Sequence, residues 1–370
     1  MKQIKVLRII GECKSGGTES IALNYYKNLN HNNLKVDFLF YGPSNGVFEK
    51  EVSKYGDKVY NVEYYSKHLI KSIIQIKNIV KKNKYDIVHA QLNSLNFFPL
   101  FGAWLGGAKI RVASNHSTSN FKYEPTKSII KYFLRPTCGL MATNYAACSN
   151  YAGKWAFGSK KEIKVIKNAI DLNNFKFSEE KRNIVRNEQN WNEKFVIGHV
   201  GRFVEQKNHK FILDIFKEVN KKNKNSILVL IGDGKLQDDI KDYAKQLGIE
   251  NFVFFYGIRF DVYDLMQGMD VFLFPSLYEG LGNVITEAQA VSLQSVVSYD
   301  VPYEVKQTEY VDFLSLKDNA SIWANKVLSY SNGYLRRNTY NDLVKSGYEI
   351  KTASHDLEQY YFSLLGDSNE

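Results

Sequence analysis

Short apolar runs rich in Val, Ile and Phe recur along the chain, and most are followed by stretches whose apolar residues return every three to four positions. In the first half the runs fall at residues 4–10, 36–40, 58–62, 86–90, 109–114, 142–147 and 163–166. In the second they fall at 195–200, 227–231, 252–256, 271–274 and 295–298. Short runs with little polar alternation read as strands buried on both faces. Strands alternating with helices predict an α/β chain of Rossmann-like units, each a parallel sheet covered on both sides. A chain of 370 residues exceeds what one hydrophobic core usually serves, so two domains are expected. The expected division is 1–172 and 173–346, with the polar run 173–192 as linker and a final segment at 347–370.

The stretch that organises the rest is residues 275–290, Pro-Ser-Leu-Tyr-Glu-Gly-Leu-Gly-Asn-Val-Ile-Thr-Glu-Ala-Gln-Ala. The strand before it stops at Pro275. Gly280 and Gly282 allow a tight loop that brings backbone close to a ligand, and Asn283 is the expected N-cap of a helix carrying Val284, Ile285, Ala288 and Val291. Such a corner presents helix-end amides and a positive dipole end, which suit phosphate. Glu279 in the loop and Glu287 one turn into the helix add carboxylates that accept hydrogen bonds from sugar hydroxyls. Amides for phosphate and acids for hydroxyls describe a nucleotide-sugar site. A solvated loop acid beside an ordinary surface helix residue fits the same spacing.

Other segments carry weaker signals. Gly11-Glu-Cys-Lys-Ser-Gly-Gly-Thr-Glu follows the first strand, but Gly17 stands where a P-loop needs Lys and no third glycine completes a dinucleotide fingerprint. Gly16 and Gly17 remain as points of close backbone approach, with Thr18 as a cap. His116, in Ser-Asn-His-Ser-Thr, lies at the carboxyl end of a strand, where ligands of open α/β sheets sit, although a lone loop histidine is usually structural. In Gly201-Arg-Phe-Val-Glu-Gln-Lys-Asn-His-Lys, Arg202 offers a planar fork and Lys207 a point charge, both suited to a diphosphate and both ordinary near a helix start. Gly232-Asp-Gly234 is a lone Gly-x-Gly and means little by itself. Residues 67–84 mix isoleucines with lysines, as a helix packed on a sheet would. Residues 121–135 set Phe121, Tyr123, Tyr132 and Phe133 among Lys122, Lys127, Lys131 and Arg135, a better match to an interfacial surface.

Composition narrows the class. With 44% apolar and 24% charged residues the chain is globular, and its net charge of +10 favours anions. Lysines spread along the whole length, with no arginine cluster or zinc-finger spacing, speak against nucleic acid. Three cysteines, Cys13, Cys138 and Cys148, have neither metal-like nor redox-like spacing, which fits a reducing cytoplasm. The amino terminus starts directly on a strand without a signal-peptide core, and the run 95–108 is short of the roughly 20 apolar residues a membrane span needs. A cytoplasmic protein, soluble or peripheral at the inner membrane face, is expected.

Glu279 and Glu287, with seven residues between them around Gly-Leu-Gly-Asn, resemble the paired-glutamate signature of retaining GT-B glycosyltransferases, the group 1 or family 4 type found in capsule and exopolysaccharide synthesis. The likeness covers nearly the whole chain. It includes Gly16-Gly17-x-Glu19, Ala147-Cys-Ser, Lys154-Trp-Ala-Phe-Gly, and Val165-Ile-Lys-Asn-Ala-Ile-Asp171 with Ala169 in place of the usual glycine. It also includes Gly201–Lys207, with Phe203 in the usual Leu position. The resemblance implies two Rossmann-like domains facing across a cleft, with a last helix near 353–365 returning to the first domain. It implies His116, Arg202, Lys207 and Glu279 as the catalytic group, Glu279 on the transferred sugar and Glu287 on the ribose. Gly16, Gly17, Ile258, Arg259, Leu281, Gly282, Asn283 and Val284 would complete the donor contacts, and cleft closure would exclude water. A hexose would pass from a nucleotide-sugar, a UDP-sugar by expectation, to a saccharide acceptor, a lipid-linked one by expectation, entering near 121–135. No cofactor and no metal would be needed.

Three rival readings remain. An epimerase of the same fold would release an altered nucleotide-sugar, or free sugar, and extend no acceptor. A non-catalytic partner subunit would have lost the acids and bases, yet Arg202, Lys207, Glu279 and Glu287 are all present. A basic nucleic-acid binder would depend on its scattered lysines rather than on Glu279.

Overall fold

The computed structural model describes residues 3–12, 17–44, 46–118 and 132–366. They separate into two units, one built from the chain up to Asp171 together with the part from Gly347 onward, the other from Leu172–Ser346.

The first unit holds strands β1 (Ile4–Ile9), β2 (Leu34–Tyr41), β3 (Val59–Val62), β4 (Ile87–Ala90), β5 (Ile110–Asn115), β6 (Asn144–Ala147) and β7 (Lys164–Val165). They form one parallel sheet in the order β3-β2-β1-β4-β5-β6-β7. Between them run α1 (Gly17–Lys27), α2 (Val47–Ser53), α3 (Tyr65–Asn83), α4 (Phe97–Leu105) and α5 (Asn150–Phe157). The order reverses between β1 and β4, and in such sheets the crevice for a ligand opens at the carboxyl ends of those strands.

The second unit opens with α6 (Glu179–Glu188), inside the polar run expected to be a linker. Ser178 caps this helix by accepting from the Lys181 amide. Arg186 bonds the Asp270 carboxylate at 3.2 Å and the Gly268 carbonyl at 2.7 Å, and Arg182 also bonds Asp270. Asp270 in turn accepts from the Val196 amide at 2.8 Å. The run is polar because its helix docks through guanidinium groups rather than an apolar stripe, so the linker reading is corrected.

Strands β8 (Phe195–Val200), β9 (Ser226–Ile231), β10 (Val253–Gly257), β11 (Val271–Phe274), β12 (Gln294–Ser298) and β13 (Val311–Leu314) make the second parallel sheet, in the order β10-β9-β8-β11-β12-β13. Its helices are α7 (His209–Lys222), α8 (Gln237–Gln246), α9 (Val262–Gly268), α10 (Asn283–Ala290), α11 (Ala320–Leu328) and α12 (Tyr340–Lys345). The buried residues Ile212, Leu213, Phe216 and Val219 recur at helical spacing along α7 and pack with Leu228, Leu230, Val271 and Trp323 into the core of this unit.

The chain then returns to the first unit through a bridge between Ile170 and Glu349 and ends its described part in α13 (Ile350–Gly366). Ala353, Leu357, Tyr361 and Leu364 place one face of α13 in the core that holds Tyr25, Tyr26 and Ile10. The Tyr361 hydroxyl lies 2.8 Å from Nδ1 of the buried His89. Among the described residues no helix is long and apolar enough to cross a membrane.

Candidate active site

Strands β8 and β11 are neighbours, so the loops leaving their carboxyl ends meet. Leu277 donates its amide to the Gln206 carbonyl at 2.9 Å, Gln206 Nε2 donates to the Tyr278 carbonyl at 2.9 Å, and Asn208 Nδ2 donates to the Pro275 carbonyl at 3.1 Å. Four backbone groups and two side-chain amides are thereby satisfied and the two loops behave as one piece. On that piece Lys207 Nζ stands 2.6 Å from Glu279 Oε1, with the side chains only 15% and 9% exposed. The ammonium also lies 4.6 Å from the centre of the Phe274 ring, a cation–π contact. Arg202, at the start of the same loop, is exposed.

The corner after β11 departs from expectation in one detail. Gly282 rather than Asn283 is the N-cap of α10, with φ +97° and no side-chain cap bond. A left-handed residue at this point is cheap only for glycine and sets the angle at which the helix starts. Leu281 and Gly282 are buried, while Asn283 and Val284 are partly exposed at the amino end of the helix. Glu287 stands one turn on, and burial raises its carboxyl pKa to about 7. Glu287 is half-buried rather than fully exposed.

Two glycines that carried no message in the sequence seat the Arg202 loop. Gly232 has φ +137°, and a Cβ there would stand 2.2 Å from the Gly201 carbonyl oxygen; one on Gly234 would stand 2.6 Å from the Phe203 carbonyl oxygen. Only the absence of a side chain lets the turn after β9 lie flat against the turn after β8. Gly232 also donates its amide to the Gly257 carbonyl at 2.8 Å, joining the turn after β10 to the row. Beyond it Ile258 is exposed, and Arg259 is engaged with Asp261 at 2.8 Å and 2.5 Å.

Beneath the Arg202 loop lie two buried histidines. His199 Nδ1 bonds the Leu273 carbonyl at 2.8 Å, and the His209 ring stacks on Phe203 at 4.1 Å. Burial keeps both neutral, bringing the His209 pKa down to about 3, and the charge of Lys207 pushes the same way.

In the first unit His116 follows β5. Its amide donates to Asn93 Oδ1 at 2.7 Å and its Nε2 lies 3.2 Å from the Ser114 hydroxyl. Burial, helped by the nearby Arg8 charge and opposed by Asn168, lowers its pKa to about 4. Gly17 is the first residue of α1. Arg135 lies 5.8 Å from the Trp155 ring and borders a groove of about 530 Å³ shared with Tyr132, Leu140, Tyr145, Phe157 and Lys161. Gly16, Phe121, Lys122, Tyr123, Lys127 and Lys131 lie outside the described residues. Among the described residues no three His, Cys, Asp or Glu side chains gather as a metal site would.

A family model of the glycosyl transferases group 1 matches residues 181–348, and one of glycosyltransferase family 4 matches residues 15–174. Over 342 residues the chain is 30% identical to EpsF of Bacillus subtilis (strain 168), a protein named as a glycosyltransferase, covering 88% of this chain and 87% of that one. The chain belongs to the group 1 glycosyl transferases. This glycosyltransferase is also 29% identical over 244 residues, 62% of each chain, to the UDP-Gal:alpha-D-GlcNAc-diphosphoundecaprenol alpha-1,3-galactosyltransferase of Escherichia coli. The crystal structure of Anabaena HepE in complex with UDP and glucose matches it with a TM-score of 0.73 at 19% identity, covering 96% of this chain and 95% of that one. At that identity the likeness is one of fold, and the fold is GT-B, two Rossmann-like α/β domains.

Proposed function

We propose that this glycosyltransferase moves a hexose from a UDP-sugar to a saccharide carried on a lipid diphosphate, with retention of anomeric configuration, in the making of a surface polysaccharide. The observation that carries the reading is the pairing of Lys207 with Glu279 at 2.6 Å beside the amino end of α10. A cation, a carboxylate and a helix end side by side suit a molecule that is diphosphate at one end and hydroxyl-rich at the other. The names of the E. coli and Anabaena relatives support a UDP-linked donor, and the former a lipid-linked acceptor.

In this reading the bond from the anomeric carbon to the diphosphate oxygen breaks with its electron pair going to oxygen. The acceptor hydroxyl bonds to that carbon on the same face and passes its proton to the departing diphosphate. Arg202, Lys207 and the amides of Leu281, Gly282, Asn283 and Val284 meet the charge that develops on the leaving group, so no resident metal or cofactor is required. Glu279 orients hydroxyls of the transferred sugar and Glu287 accepts from the ribose. Ile258 and Arg259 border the base, and His116, with Gly16 and Gly17, is assigned to the donor's sugar and phosphate. The exposed Tyr132 and Phe133 beside Arg135, with Phe121, Lys122, Tyr123, Lys127 and Lys131, are the proposed acceptor side and peripheral contact with an anionic membrane, at its cytoplasmic face.

The test is a panel of UDP- and GDP-sugars, scored by chromatography for release of the nucleotide diphosphate with and without lipid-linked acceptors. One UDP-hexose should be consumed, and Glu279→Ala should stop its consumption. Conversion to another nucleotide-sugar without acceptor extension would mark an epimerase, and consumption of no donor would overturn the reading.

A further inference from the structure

The loop after β12 and the strand β13 carry three aromatic rings with no part in the site described above. Tyr299 stacks on Phe313 with centroids 5.6 Å apart and planes 18° apart, and Tyr303 stacks on the same ring at 5.4 Å and 27°. Tyr299 is 67% exposed and Tyr303 71% exposed, so the two outer rings spend their apolar area on water. Exposed aromatics grouped in this way mark an interaction surface more often than packing left over from the core.

The surface is braced. Gln289 of α10 donates to the Val305 carbonyl at 2.9 Å and accepts from the Gln307 and Thr308 amides at 3.0 Å and 2.9 Å, which fixes the turn that carries Tyr303. It also adjoins the corner after β11. Ser298 donates to the Ser276 carbonyl at 2.5 Å, and Val301 Cγ1 is 3.7 Å from the place a Cβ on Gly282 would take. The loop carrying Tyr299 and Tyr303 leaves β12, the neighbour of β11, and Phe313 on β13 is two inter-strand spacings of roughly 4.8 Å, on the order of 10 Å, from β11.

We propose that Tyr299, Phe313 and Tyr303 form a saccharide platform that holds a sugar unit of the acceptor away from its reacting hydroxyl. The inference rests on the proposed transfer to a saccharide. Near-parallel exposed rings suit the flat C–H face of a pyranose, and the tyrosine hydroxyls can bond its rim. The chemistry also excludes the other obvious occupants. Asp300 and Glu304 directly follow the two tyrosines, so the local charge repels an anionic lipid or a phosphate, while carboxylates are good acceptors for sugar hydroxyls.

Saturation-transfer NMR on the full chain with maltotriose, chitotriose and a galactose trisaccharide tests this. Transfer to ring C–H protons should fall at least tenfold in a Tyr299→Ala, Tyr303→Ala double variant and stay within twofold in Tyr303→Phe, with thermal melting unchanged in both. Absence of transfer from all three sugars, or transfer indifferent to the double variant, overturns the platform. So does a change of sedimentation coefficient in the double variant, which would make the surface a contact between copies. UDP release from the donor panel is read in parallel. If release persists while sugar binding ignores the tyrosines, only the platform falls; if no donor is consumed while tyrosine-dependent binding remains, the transfer reading falls and the carbohydrate site stands.

Discussion

The Lys207 ammonium meets the Glu279 carboxylate at 2.6 Å although 72 residues separate them, because each sits on the loop leaving one of two adjacent strands. Both side chains are largely shielded, so each depends on the other for its charge to be tolerated. Glu279→Gln, which keeps the shape and removes the charge, should lower donor turnover on the order of a hundredfold. Truncating either partner alone should cost about 1–3 kcal/mol of stability, and replacing both with apolar residues should cost less than the sum. Urea unfolding of the two single variants and the double variant checks the cycle.

His116 and His209 predict the response to acid. Their folded pKa values, about 4 and about 3, lie below the ordinary histidine value of about 6.5, so the unfolded chain takes up protons that the folded chain refuses. Stability from these groups is complete above pH 6.5 and is lost as pH falls toward 4. His209→Phe should flatten the slope of unfolding free energy between pH 6.5 and 4, by on the order of 3 kcal/mol over the interval. Donor binding that depends on His116 should show no inflection near pH 6.5.

Glu287 runs the opposite way. Its raised pKa of about 7 means that the folded state holds a proton the unfolded state has lost above pH 4.5, so this contribution weakens as pH rises toward 7. If the carboxylate accepts from a ribose hydroxyl, UDP binding must expel that proton. Calorimetry of UDP binding at pH 6.5 in buffers of different ionisation enthalpy should show proton release in the native chain and none in Glu287→Gln.

A methyl group at Gly232 would collide with the Gly201 carbonyl at 2.2 Å while forcing a left-handed backbone. Gly232→Ala should destabilise by about 2 kcal/mol or more and weaken UDP binding through displacement of the Arg202 loop. Ala substituted at Gly333, where φ is also positive (+82°) but nothing stands within 4 Å, carries the backbone strain without the collision, so it should lower stability less, leave UDP affinity unchanged and serve as the control. Paired thermal melts and UDP titrations distinguish the two.

Most strands could be read from the chain to within a residue or two because β8, β9, β11 and β12 are buried apolar runs with little else their pattern could mean. The edge strand β13 was missed. It is short, carries Asp312 and leaves Phe313 half outside, so no run of apolar letters marks it. Helix α6 was missed for a different reason. Its anchoring lies in Arg182 and Arg186, whose long side chains reach Asp270 and backbone carbonyls, and composition reads such residues as solvated. Within the site, Glu279 and Lys207 drew attention as chemical types, but their pairing is a product of strand order. Gly232 and Gly234 were silent because their effect is steric and exerted on a loop thirty residues away in the chain. Nor does sequence reveal that Glu287 and His116 sit where burial shifts their protonation.

The bridge between Ile170 and Glu349 also sets an order of events during synthesis. Residues of the first unit leave the ribosome before anything else, yet their core lacks Leu357 and Tyr361, the partner of His89, until α13 arrives. Among the described residues the second unit is one continuous piece, Leu172–Ser346, and can close on itself while the first still waits. The half that is made first is finished last, and a released chain cut off after Ser346 would have a second unit able to close and an open, aggregation-prone first one.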